Sequence, residues 1–282
     1  MIAITGATGQ LGRLVIQTLL KSVPASEIVA AVRNPKKAKD LGALGIEVRH
    51  ADYDQADTLL KAFQGADKLV LISASEIGRR LPQHRAVIDA AKKAGVGQLV
   101  YTSILHADHS PLPLAAEHKA TEELIQASGI PSVVLRNGWY SENYLASVPA
   151  ALQYAVFLGS AGEGRIASAA RQDYAEAAAA VLTKSNQAGF VYELAGDESY
   201  TLAEFAQEIA RQFGKNVAYQ NLPEAEFKSA LVSAGLPESI ATLLSESDVG
   251  ASKGGLFDNS RQLSQLIGRP TTPIATQVKS AG

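Results

Sequence analysis

The sequence predicts an α/β protein in which a doubly wound parallel sheet over residues 1–137 is followed by a smaller α/β lobe over residues 138–282. Three observations lead there. Short β-rich runs alternate with amphipathic helical stretches through the first half. Several of those runs are apolar throughout, as strands covered on both faces must be. After Gly138 the alternation stops, Gly, Pro and Ser become frequent, and helical segments predominate.

The strands read, in order, Ile2–Thr5, Ile28–Val32, Glu47–His50, Leu69–Ile72, Leu99–Thr102 and Ser132–Leu135. Between the first two, Leu11, Leu14, Val15, Thr18 and Leu19 repeat at helical spacing and make one buried stripe. Pro82–Ala94 and Ala115–Ala127 show the same pattern and are closed by Gly95 and Gly129. Six βα units in succession imply right-handed crossovers, with helices on both faces of the sheet.

In the second part, Arg171–Lys184 reads as a helix begun near Asp173, whose carboxylate suits the amide protons at a helix start. Val191–Leu194 reads as a strand. Thr201 and Glu204 stand at capping-box spacing ahead of the helix Leu202–Phe213. Tyr219 falls in a short strand and Glu224–Ala234 in a helix. This part is expected to be a substrate-binding lobe, partly interleaved with the sheet.

Composition narrows the function classes. The net charge of −2 gives no electrostatic footprint for nucleic acid or anionic lipid, so the expected partner is a small molecule. The absence of cysteine excludes disulfides, iron–sulfur clusters and a thiol nucleophile. The chain opens on an apolar strand without a basic leader, and no run approaches the ~18 apolar residues of a membrane span. A cytoplasmic protein is expected. No metal site is expected either: His106 and His109 are three apart, but Ser110-Pro111-Leu112-Pro113 marks a loop and no third ligand stands near.

The most informative stretch is Gly6-Ala7-Thr8-Gly9-Gln10-Leu11-Gly12, directly after the first strand and opening the first helix. Gly6 permits a sharp turn, Gly9 a close approach of backbone to a pyrophosphate, and Gly12 close packing of the helix on the sheet. Phosphates placed there meet amide protons and the positive end of the helix dipole. This is the arrangement of a Rossmann-like dinucleotide site. After the second strand an NAD binder carries an acidic residue that accepts the ribose hydroxyls. Here Val32 and Arg33 stand instead, and a guanidinium binds a 2′-phosphate bidentately where a carboxylate would repel it. The expected cofactor is therefore NADP(H). Asp52 after the third strand is placed either to meet the adenine amino group or simply to end the strand. Ser73, Ala74 and Ser75 end the fourth strand at the carboxyl edge, and small residues there let the ribose and nicotinamide pass close to the backbone.

With these residues in view, the chain resembles the NmrA-like atypical short-chain dehydrogenase/reductase family, closest to its bacterial NADPH-dependent quinone oxidoreductase type 2 branch. The resemblance rests on Thr5–Gly12, Val32-Arg33-Asn34-Pro35, the stretch Leu135-Arg136-Asn137-Gly138-Trp139-Tyr140-Ser141-Glu142-Asn143, and Asp248-Val249-Gly250-Ala251-Ser252-Lys253-Gly254. It implies NADPH at the glycine loop and Arg33, with the nicotinamide near Ser73–Ser75, Ser103 and the Asn137, Gly138 to Asn143 segment. It also implies two-electron reduction of quinones without flavin.

Ordinary short-chain dehydrogenases use a Tyr-x-x-x-Lys pair as proton donor. Here no tyrosine stands four positions before His118 or Lys119. Reducing an unactivated ketone leaves a basic alkoxide, so a positioned acid is worth ~10²–10⁴-fold. A quinone yields a far less basic aromatic product, and stacking it against the nicotinamide supplies most of the catalysis. The missing tyrosine thus fits quinone reduction. Tyr140 and Asn143 are candidates to orient the quinone or carboxamide, with Tyr140 equally a packing residue between lobes. His118 is a candidate proton donor or a satisfied structural histidine, and Ser103 is placed to hold a carboxamide or carbonyl oxygen. Two alternatives stay open: an NADPH-sensing regulatory protein that binds a protein partner without turnover, and a reductase of other flat acceptors such as dyes. A homodimer also stays open.

Arg33→Glu is expected to weaken NADPH binding by about ten- to a hundred-fold, the loss of one charge-assisted contact, while NADH binding stays level or improves. Titration calorimetry with both cofactors checks this; equal losses would remove Arg33 from the phosphate site.

Overall fold

In the computed structural model, which describes residues 1–76 and 78–281, the apolar runs of the first half form the middle of one sheet. Its strands are β1 (Ile2–Thr5), β2 (Ile28–Val32), β3 (Glu47–His50), β4 (Lys68–Leu71), β5 (Gln98–Ile104), β6 (Ser132–Asn137) and β8 (Val191–Leu194), in the order β3-β2-β1-β4-β5-β6-β8. The first six pair in parallel. Strands β7 (Val156–Gly159) and β9 (Ala218–Asn221) make a separate parallel pair. The chain runs from β1 outward to β3, then returns to β4 on the other side of β1. The carboxyl ends of β1 and β4 therefore flank a topological switch point, where open sheets bind ligands.

The helices along the first half are α1 (Gln10–Leu19), α2 (Lys39–Ala43), α3 (Ala56–Phe63), α4 (Arg80–Ala94) and α5 (Ala115–Ser128). Then come α6 (Ser141–Leu145), α7 (Val148–Tyr154), α8 (Arg171–Thr183), α9 (Leu202–Phe213), α10 (Glu224–Ser233), α11 (Glu238–Ser252), α12 (Gln262–Ile267) and α13 (Ile274–Lys279). None of the described helices is long and apolar enough to cross a membrane.

Two compact units emerge from the chain. The first comprises residues 1–104, 116–137 and 171–192; the second comprises residues 105–115, 138–170 and 193–282. Within the first, alternate residues of the buried strands face opposite ways. Ala3, Val29, Leu69, Leu71, Leu99 and Tyr101 join Leu59 and Phe63 of α3 and Val87 and Ile88 of α4 in one core. Helix α1 buries the Leu11–Val15–Leu19 stripe that the sequence shows and packs against α8. Each such side chain, fully buried, stabilises the fold by about 1.5–3 kcal/mol. Within the second unit the core is aromatic: Phe157 meets Phe205 edge-on at 5.1 Å, and Tyr200 stacks on Phe205 at 5.6 Å.

Where the expected elements differ in extent, the reasons are local. Strands β5 and β6 run on to Ile104 and Asn137 because Ser103 still pairs with Arg136 and Ile104 with Asn137. Helix α4 begins two residues before Pro82, which its first turn tolerates because amides there have no intrahelical acceptor. Helix α8 begins at Arg171, so Asp173 lies in its first turn, fully buried. The Thr201–Glu204 capping box is present in both halves: Thr201 Oγ1 accepts the Glu204 amide at 3.1 Å and Glu204 Oε2 the Thr201 amide at 2.9 Å. Helix α11 has no sequence signal because its buried face carries Ser245, Ser247 and Asp248.

Gly12 packs tightly on the backbone that leaves β1: a Cβ there would lie 2.3 Å from the Gly6 carbonyl oxygen and 2.8 Å from Ala7 Cα. Both neighbours are backbone and cannot swing aside. Gly12→Ala is therefore expected to lower stability by about 1–3 kcal/mol, as overpacking does, and to distort the loop. Urea unfolding at equilibrium measures it; an unchanged midpoint would show that the loop yields freely.

Candidate functional site

The glycine loop leaves β1 through Gly6, which holds φ +60°, a left-handed conformation that costs glycine little. The Gly9 amide closes the turn onto the Gly6 carbonyl at 2.9 Å, and the Gly9 carbonyl accepts the Arg13 amide at 3.0 Å. Gly9 caps α1 without a capping side chain, and no acidic residue stands in the first turn. The helix thus presents its positive end to whatever lies over the loop. Gly9 and Gln10 are exposed and Thr8 is half-buried, whereas Ala7 and Leu11 are buried beneath the turn. Arg13, unremarked in the sequence, braces the loop from outside. Its Nε donates to the Thr8 carbonyl and its guanidinium to the Lys37 carbonyl, each at 3.2 Å, and it pairs with Asp40. The hydrogen bond from Arg13 holds the Asp40 carboxyl below its usual range.

Thr5 joins the two strands at the switch point. Its hydroxyl donates to the Val70 carbonyl and accepts the Ile72 amide, both at 3.1 Å. At the end of β2, Arg33 is exposed and already faces an acid: its guanidinium pairs with Glu76 Oε1 at 3.0 Å. Glu76 also meets Arg79 at 3.3 Å and Gln83 at 3.1 Å. After β3, the Asp52 carboxylate accepts the Asp54 amide at 3.1 Å and the Gln55 side-chain amide at 3.0 Å, so it shapes the turn that ends the strand. Beside it, burial pushes the Tyr53 phenol up to about 12, moderated by a hydrogen bond with Thr5.

At the end of β4 the backbone of Ser73 and Ala74 is held from three sides. Thr102 Oγ1 accepts the Ser73 amide at 2.9 Å, His84 Nε2 accepts the Ala74 amide at 2.9 Å, and Arg80 Nε donates to the Ala74 carbonyl at 2.8 Å. Ser75 is exposed. Ser103 behaves differently from expectation. Its hydroxyl turns to Glu122 of α5, which Arg136 grips through Nε at 3.0 Å and through its terminal nitrogen at 2.8 Å. Thr102, its neighbour on β5, is the residue aimed at Ser73. The Asn137 side chain ends β6, buried, and its Oδ1 has no hydrogen-bond partner among the described residues. A buried orphan acceptor is costly unless a ligand satisfies it.

The sheet therefore brings the glycine loop, Arg33, Asp52 and Ser73–Ser75 to the carboxyl ends of four neighbouring strands. His118 is not among them. It lies inside the first unit with Nδ1 2.8 Å from the Tyr101 hydroxyl, and burial, reinforced by Arg80, keeps its pKa well below the usual histidine range. Its burial and its bond to Tyr101 favour the second of the two readings, a satisfied structural histidine. The sequence offered no signal for Thr5, Arg80, His84 or Thr102, because their roles arise from pairs 6 to 67 residues apart.

In the second unit the Gly138 amide donates to the Leu194 carbonyl at 2.7 Å, and Tyr140 forms a bridge with Ala169 before capping α6. The Asn143 amide returns to the Tyr140 carbonyl at 3.0 Å, placing the two half-buried side chains at the start of one helix. That helix is anchored by Tyr144, whose hydroxyl donates to Asp248 Oδ1 at 2.9 Å, while Asp248 Oδ2 accepts the Ser160 amide at 2.8 Å. His106, at φ +54°, lies between Glu193 and Asp258 at 3.6 Å each, and His109 pairs with Asp108 at 2.8 Å. No group of three metal-ligating side chains occurs among the described residues.

Comparison with known proteins places this geometry. The model of the NmrA-like family matches residues 1–272. Quinone oxidoreductase 2 of Escherichia coli (strain K12) is 62% identical over 278 residues, 99% of this chain and 97% of that protein. The crystal structure of the Escherichia coli NADPH-dependent quinone oxidoreductase complexed with NADPH superposes with a TM-score of 0.97 at 61% identity, covering 99% of both chains. The Citrobacter sp. triphenylmethane reductase complexed with NADP(H) also reaches 0.97, at 41% identity and full coverage of both.

Burial raises the Asp248 carboxyl from 3.8 to about 6, more than its hydrogen bonds lower it. A folded pKa above the unfolded one means that its stabilising contribution is complete below the unfolded value and lost as pH rises through the folded one. The melting temperature of the wild type relative to Asp248→Asn is thus expected to fall between about pH 4 and 6 and to level off above. Thermal denaturation at stepped pH tests this, and parallel curves would show that Asp248 titrates normally.

Proposed function

The chain belongs to the NmrA-like family, and from that footing we propose that it reduces quinones to hydroquinones with NADPH, by direct hydride transfer and without flavin. The observation that carries this is the 62% identity, over nearly the full length of both chains, with a quinone oxidoreductase. The chain is an NADPH-dependent oxidoreductase of Rossmann-like α/β fold; in the proposed reading it acts on a small-molecule quinone in the cytoplasm.

The residues fit the cofactor. The Gly6–Gly12 turn has no side-chain cap at its helix start, and Asn137 holds a buried acceptor without a partner among the described residues. In this reading Gly6, Gly9 and the α1 amides bind the pyrophosphate, and Arg33 binds the 2′-phosphate in place of Glu76. Asp52 stands near the adenine. Ser73–Ser75 line the nicotinamide half, and Asn137 Oδ1 accepts from its carboxamide. When bound, the reduced nicotinamide supplies the hydride. Tyr140 and Asn143 orient the acceptor ring and hydrogen-bond its carbonyl oxygens.

No residue has to replace the absent Tyr-x-x-x-Lys acid. Negative charge arriving on a quinone oxygen is spread over an aromatic ring, so hydrogen bonding and water suffice to protonate it. The buried, neutral His118 agrees with this, since a strong internal acid is not needed. The likeness to the triphenylmethane reductase supports a second substrate class, flat conjugated dyes, which face the same hydride donor with the same absence of proton demand.

Purified protein is expected to bleach NADPH absorbance on addition of 1,4-benzoquinone, well above the uncatalysed rate and much faster than with NADH. Tyr140→Phe should raise the KM for quinone several-fold with little change in the Kd for NADPH. Tight NADPH binding without turnover across quinones and dyes would instead favour a sensor, and unchanged quinone kinetics in Tyr140→Phe would remove that residue from substrate orientation.

A further inference from the structure

His84 lies on α4, fully buried, and no part of the proposed reaction uses it. Its hydrogen bonds admit one assignment. The Ala74 backbone amide, 2.9 Å from Nε2, can only donate, so Nε2 must accept and the ring proton must sit on Nδ1. Nδ1–H then donates to Thr121 Oγ1 at 3.0 Å, and the Thr121 hydroxyl passes its own proton to the Glu117 carbonyl at 2.8 Å. Donors and acceptors alternate without conflict from the β4 loop to the backbone of α5.

The same loop is gripped twice more, by Arg80 on the Ala74 carbonyl and by Thr102 on the Ser73 amide. Arg80 is itself fixed by Glu117 at 3.2 Å, and Glu117 Oε1 accepts the Gly78 amide at 3.0 Å. Both polar groups of Ala74 are thus held by side chains. A strand end in an open sheet would ordinarily leave them to water.

Resting on the NADPH reading above, we propose that His84, as its Nδ1–H tautomer, is a positioning residue for the cofactor: it fixes the Ala74 amide so that the Ser73–Ala74 backbone keeps the surface offered to the nicotinamide half. The imidazole suits the task because it accepts and donates along one line from a buried position. Burial, with the charge of Arg80 adding to it, lowers its pKa to about 3, so the accepting lone pair persists at any working pH. Protonation would set an N–H against the Ala74 N–H.

Nitrogen-15 NMR of the imidazole in the full-length protein tests the tautomer directly. A pyridine-type Nε2 and a pyrrole-type Nδ1 are expected, and the reverse pattern overturns the proposal. For the role, His84→Leu is expected to raise the NADPH Kd by about ten-fold, the effect of one stranded buried donor, while the quinone KM at saturating NADPH moves less than two-fold. His84→Gln, whose amide also accepts and donates, should recover most of the affinity. Thr121→Val gives a second route if His84→Leu does not fold: losing the acceptor for Nδ1–H should weaken NADPH binding in the same direction. Folded His84→Leu with a lowered melting temperature but an unchanged NADPH Kd overturns the role and leaves the NADPH reading standing. Failure of the wild type to bind NADPH in calorimetry overturns that reading and the role together.

Discussion

Backbone crowding at the end of β1 is the constraint on which the rest of the site depends. The Gly6 carbonyl accepts the Gly9 amide and lies so near Gly12 that a methyl group there would collide with it. The turn is closed from within by main-chain contacts, with Arg13 bracing it from outside. This leaves the start of α1 without a capping side chain, and the helix points its unshared polarity outward. A serine or aspartate cap would stabilise the helix by about 1 kcal/mol but would occupy the place where a phosphate is proposed to sit.

The neighbouring strand ends show a complementary strategy. Instead of bare backbone, the β4 loop is backed by a polar layer of the first unit in which Arg80, His84, Tyr101, His118 and Thr121 are buried and Glu117 is half-buried. Such a layer is stable only when every partner is satisfied, and here the two histidines are held neutral chiefly by burial. Substrate chemistry at the surface is thus separated from titration in the interior. That separation agrees with an acceptor that needs a hydride and little help with its proton.

At the outer rim the electrostatics are looser. Arg33 is 72% exposed and shares Glu76 with Arg79, an arrangement that contributes little to stability and exchanges readily. An exposed guanidinium with a replaceable partner is well suited to receive a phosphate. By contrast, the half-buried Arg136–Glu122 pair, between β6 and α5, is bidentate and takes the Ser103 hydroxyl as well.

Much was legible in the chain alone. Strand and helix periodicity located the parallel sheet, three glycines and one arginine pointed to NADP(H) as the cofactor, and a missing tyrosine narrowed the chemistry. These features are short-range, so composition and spacing carry them. Sequence could not tell which face of β5 bears the working hydroxyl, Thr102 or Ser103, nor that His118 points inward while His84 holds a backbone amide. Nor could it reveal α11, whose buried face is polar. Those facts depend on contacts between residues far apart in the chain, and only the folded sheet decides which side chains meet.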